Sequence, residues 1–323
     1  MALPPIFDTL RLPVVGAPLF IISNPALVVA QCTSGIVGSF PALNAREADG
    51  EPIMLEAWLK KITEDLDRYN QDNPDTPAAP FAVNQIVHRS NGRLQRDLDI
   101  CVKWQVPIMI TSLGAREEVN QAAHSYGGIT LHDVIHNRFA KKAIEKGADG
   151  LIAVAAGAGG HAGAMSPFAL VQEIREWFDG PLLLSGSIAN GRSVLAAQVM
   201  GADLAYVGSA FIATDEANAA DEYKSMLVEG GAEDIVYTNL FTGVHGNYLK
   251  PAVARAGLDP DNLPDSDPTK MSFADGSSKP KSWKEIWGSG QGIAAVKKVV
   301  PAARLVSRLS REYAEARGQL VAQ

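Results

Sequence analysis

Eight short apolar runs, each followed by a longer segment of helical spacing, predict an α/β chain folded as a (β/α)8 TIM barrel. Two further observations favour that closed form over the doubly wound open sheet weighed against it. No long crossover interrupts the alternation, and glycine–serine turns follow both of the last two strands. Beyond the eighth strand the pattern changes to an irregular and then helical C-terminal extension. We therefore expect residues 1–216 to form the barrel core. Residues 217–323 would supply a closing helix, a lid-like excursion and a C-terminal helix packed on the barrel.

The elements follow in order. Pro13–Phe20 (PVVGAPLF) reads as the first strand. Asn24 then Pro25 is a helix start, a cap followed by proline in the first turn. Ile36–Ala42 is the second strand, Glu51–Tyr69 a helix and Asn70–Pro80 a polar loop. Phe81–Val87 is the third strand, with a helix over Leu94–Lys103; Val106–Leu113 is the fourth, with a helix from Arg116. Gly128–Val134 and the helix Asn137–Lys146 make the fifth unit, and Gly150–Ala156 and Pro167–Phe178 the sixth. Pro181–Gly186 and Gly191–Met200 make the seventh, and Leu204–Ile212 is the eighth strand. Ala217–Glu229 can close the ring. Gly243–Gly292 is rich in Gly, Pro, Asp and Ser, with Tyr248, Phe273, Trp283 and Trp287 scattered through it, and reads as irregular. Gly292–Arg317 returns to helical spacing.

Bulk properties narrow the class. With 323 residues, 46% hydrophobic and 20% charged, the chain is ordinary globular material. A net charge of -7 argues against a nucleic-acid surface. Cys32 and Cys101 stand in apolar contexts without CxxC spacing, which suits a reducing compartment. Neither a signal peptide nor a bilayer-spanning run is evident, so a cytoplasmic location is expected.

The chemistry concentrates in Leu151–Gly163. Six apolar residues end at Ala156, and four glycines then surround His161. The unbroken run reads as a strand buried on both faces. The glycines disfavour a regular element there and let backbone approach a ligand. A titratable ring is thereby held at the carboxyl end of a barrel strand, where active sites sit. Gly157-x-Gly159-x-x-Ala162 also fits a dinucleotide fingerprint. It lies mid-chain, however, and no acid clearly ends the next strand to take a ribose.

The turns Ser185–Gly191 and Gly208–Ser209 fall where barrels bind phosphate, after strands seven and eight, with backbone N–H groups and a helix dipole facing an anion. Ala17-Pro18-Leu19 ends the first strand and offers small surfaces to a flat ligand. Asn84, inside the third strand, is a buried amide that a heterocycle edge could satisfy. His132 and Asp133 end the fifth strand. His132 and His136 are four apart, but no third ligand accompanies them and no metal is expected. No G-x-S-x-G elbow occurs.

Taken in order, the Ala-Pro-Leu end of the first strand, Val83-Asn84, Gly159-Gly160-His161-Ala162-Gly163, Gly186–Arg192 and Val207-Gly208-Ser209 resemble the FMN-dependent nitronate monooxygenases. The resemblance spans essentially the whole barrel, and Gly288–Gly292 resembles a family glycine–glutamine turn. It implies FMN as cofactor. Gly186, Ser187, Gly208 and Ser209 would hold its phosphate, and Ala17, Pro18, Leu19 and Asn84 would contact the isoalloxazine. Gly160 would run backbone along the ring, Gln291 would close the site, and His161 would lie over the reactive face as the catalytic residue. His132 is expected near the substrate. The implied reaction oxidises an alkyl nitronate with O2 to a carbonyl compound and nitrite. A neutral-range imidazole could take the proton beside a nitro group or donate to a nitro oxygen. The chain departs from some relatives in carrying His132-Asp133 where they have a lysine, and Val154 where they have an acid.

Two other functions stay open at this point. FMN-dependent NAD(P)H reductases of enoyl-thioester or quinone type share the barrel and a similar Gly-Gly-His turn. A barrel binding a phosphorylated metabolite without flavin is the other. Expected partners are a small-molecule substrate and O2, with neither nucleic acid nor membrane; a homodimer is the assembly allowed for.

Overall fold

A computed structural model describes residues 3–47, 53–266 and 286–322. Eight parallel strands form one sheet: β1 (Val14–Gly16), β2 (Gly38–Pro41), β3 (Phe81–Ile86), β4 (Ile108–Ser112), β5 (Ile129–Val134), β6 (Gly150–Val154), β8 (Leu182–Ser185) and β9 (Leu204–Val207). Their spatial order is β1-β9-β8-β6-β5-β4-β3-β2. The two ends meet through the parallel bridge Val15–Val37, with Gly16 N–H donating to Val37 O at 2.8 Å and Val37 N–H to Val14 O at 3.1 Å. The sheet is therefore a closed (β/α)8 barrel.

Several elements are shorter than the apolar runs suggest. β1 stops at Gly16, and Ala17–Phe20 continue as a loop into Ile21, which adopts φ 68°. β9 stops at Val207; Gly208 turns the chain and Ser209–Ile212 becomes a four-residue helix. Past β9 the residues Ala210–Ile212 stay buried as a helix, whereas past β1 Ala17–Leu19 are half-buried and Phe20 is exposed; a short apolar run does not report its own conformation. Asn24 caps the first helix as expected, accepting Leu27 N–H at 3.1 Å ahead of Pro25. The helix expected from Glu51 is described from Ile53 to Asp72; Glu51 lies outside the described residues.

The segment expected to be irregular contains regular structure. β7 is the two-residue strand Gly160–His161, and it pairs antiparallel with β11 (Gly246–Leu249), which pairs in turn with β10 (Ile235–Thr238). Lys250–Arg255 is helical. Trp287 stacks on Tyr223 at 4.7 Å between ring centroids, with the Arg255 guanidinium 3.8 Å over the indole. Phe273 and Trp283 lie outside the described residues. No helix among the described residues is long and apolar enough to cross a membrane.

The C-terminal helix Ala302–Val321 fills the space between Pro25–Thr33 and Gly191–Val199, while Asp221–Glu229 packs on Gln291–Ala295. Its approach is close because Gly191 has no side chain: a Cβ there would meet Tyr313 N at 2.2 Å and Leu309 O at 2.3 Å. Both obstacles are backbone. Gly191→Ala should therefore cost roughly 1–3 kcal/mol through overpacking, read as a lowered urea midpoint with unchanged slope.

Candidate active site at the barrel mouth

Strand alternation sorts the side chains into two layers. Val15, Val37, Ala82, Ile108, Ile110, Leu131, Ile152, Leu183 and Leu204 form one interior cluster with Val154 and Tyr206. The same parity carries Asn84 on β3, Ser112 on β4 and Asp133 on β5 inward at the carboxyl ends of their strands. Asn84 Nδ2 donates to Ser112 Oγ at 2.8 Å and to Ile110 O at 3.3 Å. Ser112 Oγ donates to Asp133 Oδ2 at 2.6 Å. Asp133 Oδ1 and Tyr206 Oη are buried without a hydrogen-bond partner. Burial pushes the Asp133 carboxyl up to about 6, opposed by the Ser112 hydrogen bond.

His132 has the opposite parity. It faces the helix layer, is 4% exposed, and shares a 2.5 Å hydrogen bond with Thr111 through Nδ1. Burial lowers it to about 4. The expectation that His132 meets the substrate is corrected: one residue along, Asp133 is the side chain that enters the barrel. His136 accepts Phe139 N–H at 3.3 Å as a helix cap, and stacks on the Phe139 ring. Among the described residues no cluster of three His, Cys, Asp or Glu could hold a metal.

The glycine loop after β6 folds over this mouth, since Ala158 and Ala162 belong to the interior cluster. Its far arm, β7, is anchored by β11 and by Asn247 Nδ2 donating to Ala158 O at 2.6 Å. His161 Nε2 lies 3.0 Å from Thr242 Oγ1, which also donates to Val244 O at 2.9 Å. The shared hydrogen of this pair sits on Nε2 or on Oγ1 according to the imidazole tautomer. Burial lowers His161 to about 4, so it is neutral at pH 7 rather than poised near neutrality.

The two late turns converge on the same loop. Gly186 and Ser187 have φ of 137° and 56°. Ser187 N–H donates to Gly157 O at 3.3 Å, and Gln291 N–H donates to the same oxygen at 2.9 Å. Ser209 Oγ accepts Gly290 N–H at 2.8 Å. Gly159 must be glycine, because a Cβ would meet Gly290 N at 2.7 Å. On the other side, a Cβ on Gly208 would lie 3.4 Å from Ala17 Cβ and 3.5 Å from Leu19 Cδ2. Gly160, at φ +66°, has nothing within 4 Å of its Cβ position. The structure thus gathers Ala17, Leu19, Gly160, Gly186, Ser187, Gly208, Ser209 and Gln291 around one mouth. Pro18 lies in the loop between Ala17 and Leu19, and Asn84 lines the interior below.

One part of the phosphate expectation changes. The N-terminus of helix Gly191–Val199 is spent inside the protein: Asn190 accepts Ser193 N–H at 2.8 Å, and Gly191 N–H donates to Glu312 at 2.8 Å. The N–H groups of Gly191 and Ser193 are therefore not open to an anion. Sequence reasoning also missed Tyr206 and Ser112; the pleat parity of Tyr206 with Leu204, both in strand eight, was the signal that could have found the first.

A cavity of about 420 Å3 opens beside the mouth, walled by Phe20, Ile21, Asn44, Arg46 and Trp58. Asn44 Oδ1 accepts Ile21 N–H at 2.8 Å, and Asn218 Nδ2 donates to Ile21 O at 3.1 Å. Those two bonds hold the strained Ile21 in place.

The raised Asp133 carboxyl makes a stability prediction. Its folded value lies above the ordinary carboxylate value, so its favourable contribution is present at low pH and lost as pH rises through about 6. Asp133→Asn should raise the thermal midpoint of the ligand-free protein at pH 8 by about 2–4 °C, with the gain shrinking toward pH 4.

Comparison with known proteins agrees with this arrangement. The family described as nitronate monooxygenase matches residues 7–312. A nitronate monooxygenase from Paraburkholderia phytofirmans is 24% identical, covering 95% of this chain and 94% of its own. A carboxyl-CoA dehydrogenase of Rhodococcus jostii is 22% identical over 72% of this chain and 61% of its own. In structure, nitroalkane oxidase from Streptomyces ansochromogenes aligns with TM-score 0.80 at 24% identity, covering 97% of this chain and 99% of that one. FabK from Thermotoga maritima aligns with TM-score 0.76 at 19% identity, covering 100% and 99%. At such identities the structural likeness speaks for the fold, whereas the family match extends across the barrel and every turn described above. The chain is an oxidoreductase that belongs to the nitronate monooxygenase family.

Proposed function

We propose that the protein is an FMN-dependent enzyme that oxidises alkyl nitronates with O2, releasing a carbonyl compound and nitrite. The observation that carries this reading is His161, fixed by Thr242 on a two-residue strand at the mouth where both late serine turns and Gln291 converge.

The residues fit the cofactor. A flat ring has room along Gly160, where the Cβ position is open. Buried, unpartnered Asp133 Oδ1 and Tyr206 Oη call for a ligand edge with hydrogen-bonding groups. Ser209 Oγ accepts one bond and still has its own hydrogen to give to an anion. In this assignment Gly186, Ser187, Gly208 and Ser209 hold the phosphate. Ala17, Pro18, Leu19 and Asn84 border the ring, Gly160 lies along it, and Gln291 closes the site. FMN, when bound, supplies redox chemistry that these side chains lack.

His161 then sets the substrate form. Neutral at pH 7, it puts no charge beside the mouth. An imidazole held near 4 is also a weak base toward a carbon acid. A substrate arriving already as the nitronate needs no deprotonation, so the site suits the anion over the neutral nitroalkane.

Anaerobic stopped-flow absorbance of the FMN-loaded protein tests the reading. We expect rapid bleaching by an alkyl nitronate, slower bleaching by the parent nitroalkane, and little by NADH or NADPH. The reverse order would install the enoyl-thioester or quinone reductase instead. His161→Ala should keep FMN bound while turnover of the nitronate falls, by less than the roughly 10²–10⁴-fold expected of a general acid–base residue. Unchanged turnover would remove the imidazole from the reaction.

A further inference from the structure

Asp133 is the half-buried acid that the proposed reaction leaves unused, with its Oδ1 fully buried. Its surroundings have a fixed direction. Asn84 must present its NH2 to Ile110 O, so the same group donates to Ser112 Oγ. Ser112 therefore has its hydrogen turned toward Asp133 Oδ2. Oδ2 is an acceptor, and any proton on this carboxyl belongs on Oδ1. That atom is buried and meets no partner, as does Tyr206 Oη across the barrel.

The groups facing Asp133 are Ser112 on the adjoining β4, with Asn84 on β3 behind it, and Tyr206 on β9, whose phenol feels the Asp133 charge. Among the described residues it forms no ion pair, and burial and Ser112 are the two influences on it. His132 on the same strand faces outward to Thr111. An ionised carboxylate in this interior has neither a cation nor a full set of donors, which is costly. A ligand lying over the mouth strips away the remaining water and raises that cost.

We propose that Asp133 enters the ligand complex as a neutral carboxylic acid, donating from Oδ1 to a carbonyl or ring-nitrogen acceptor of the bound flavin, so that cofactor binding at neutral pH takes up a proton. This rests on the flavin reading above. The free acid titrates near 6, so at pH 7 it is mostly ionised before binding and the proton comes from solvent.

The test is calorimetric titration of the apoprotein with FMN at pH 7, in buffers of differing ionisation heat, for wild type, Asp133→Asn and Asp133→Leu. Wild type should take up close to one proton more than Asp133→Asn; titration of the FMN phosphate is common to both and cancels. Relative to Asp133→Asn, wild-type affinity should fall roughly tenfold per pH unit above the free acid's titration. Asp133→Asn keeps an N–H donor and should bind FMN within about tenfold of wild type at pH 7. Asp133→Leu loses the donor and should bind more weakly than Asp133→Asn, by roughly 10–100-fold. Equal proton exchange in wild type and Asp133→Asn overturns the assignment. So does wild-type affinity that rises with pH, which would make Asp133 a carboxylate acceptor. If none of the three proteins binds FMN, the cofactor reading itself fails and the inference falls with it.

Discussion

Closure of the parallel sheet is the constraint on which the rest depends. β1 is only three residues long, yet it hydrogen-bonds β9 on one side and meets β2 through Val15 and Val37 on the other. A closed ring has no free edge, and it forces alternate residues of every strand to a common interior. That interior is filled largely by Val, Ile and Leu, and inward polar side chains gather at the carboxyl-end half of β3, β4 and β5. Asn84, Ser112 and Asp133 are there because the pleat counts in twos from Ala82, Ile110 and Leu131.

The same counting explains why two adjacent residues do different work. Thr111 and His132 pair across β4 and β5 and satisfy each other in the layer between sheet and helices. Ser112 and Asp133 pair one step later, inside, and leave an oxygen unsatisfied. A satisfied buried pair is structural material. A carboxyl with one buried, orphaned oxygen is a cost the fold carries for a ligand, and removing it should stabilise the empty protein.

His161 is positioned by elements remote in sequence. Its strand is two residues long and exists because Gly246 and Asn247 lie beside it; Thr242, 81 residues away, holds its ring through Nε2. The late turns are held the same way, through Gly157 O, which accepts from both Ser187 and Gln291. The site is a closing of loops over a rigid ring, which suits a chemistry that needs orientation more than a strong base.

The barrel, the cap at Asn24, the buried sixth strand (though it ends at Val154 and not at Ala156) and the glycine turns at Gly186 and Gly208 were legible in the sequence, because they depend on local periodicity and on residues with restricted or special backbone freedom. The gathering of those turns with His161 was foreseeable only through barrel geometry and family resemblance. Tertiary structure alone decided that Asp133 faces inward and His132 outward, since a one-residue shift in strand phase reverses every side chain. It alone decided that Glu312 takes the N–H of Gly191, that Gly160–His161 forms a strand, and that burial drives the imidazole well below neutrality. Each of these follows from contacts between segments far apart in the chain, and no local pattern records such contacts.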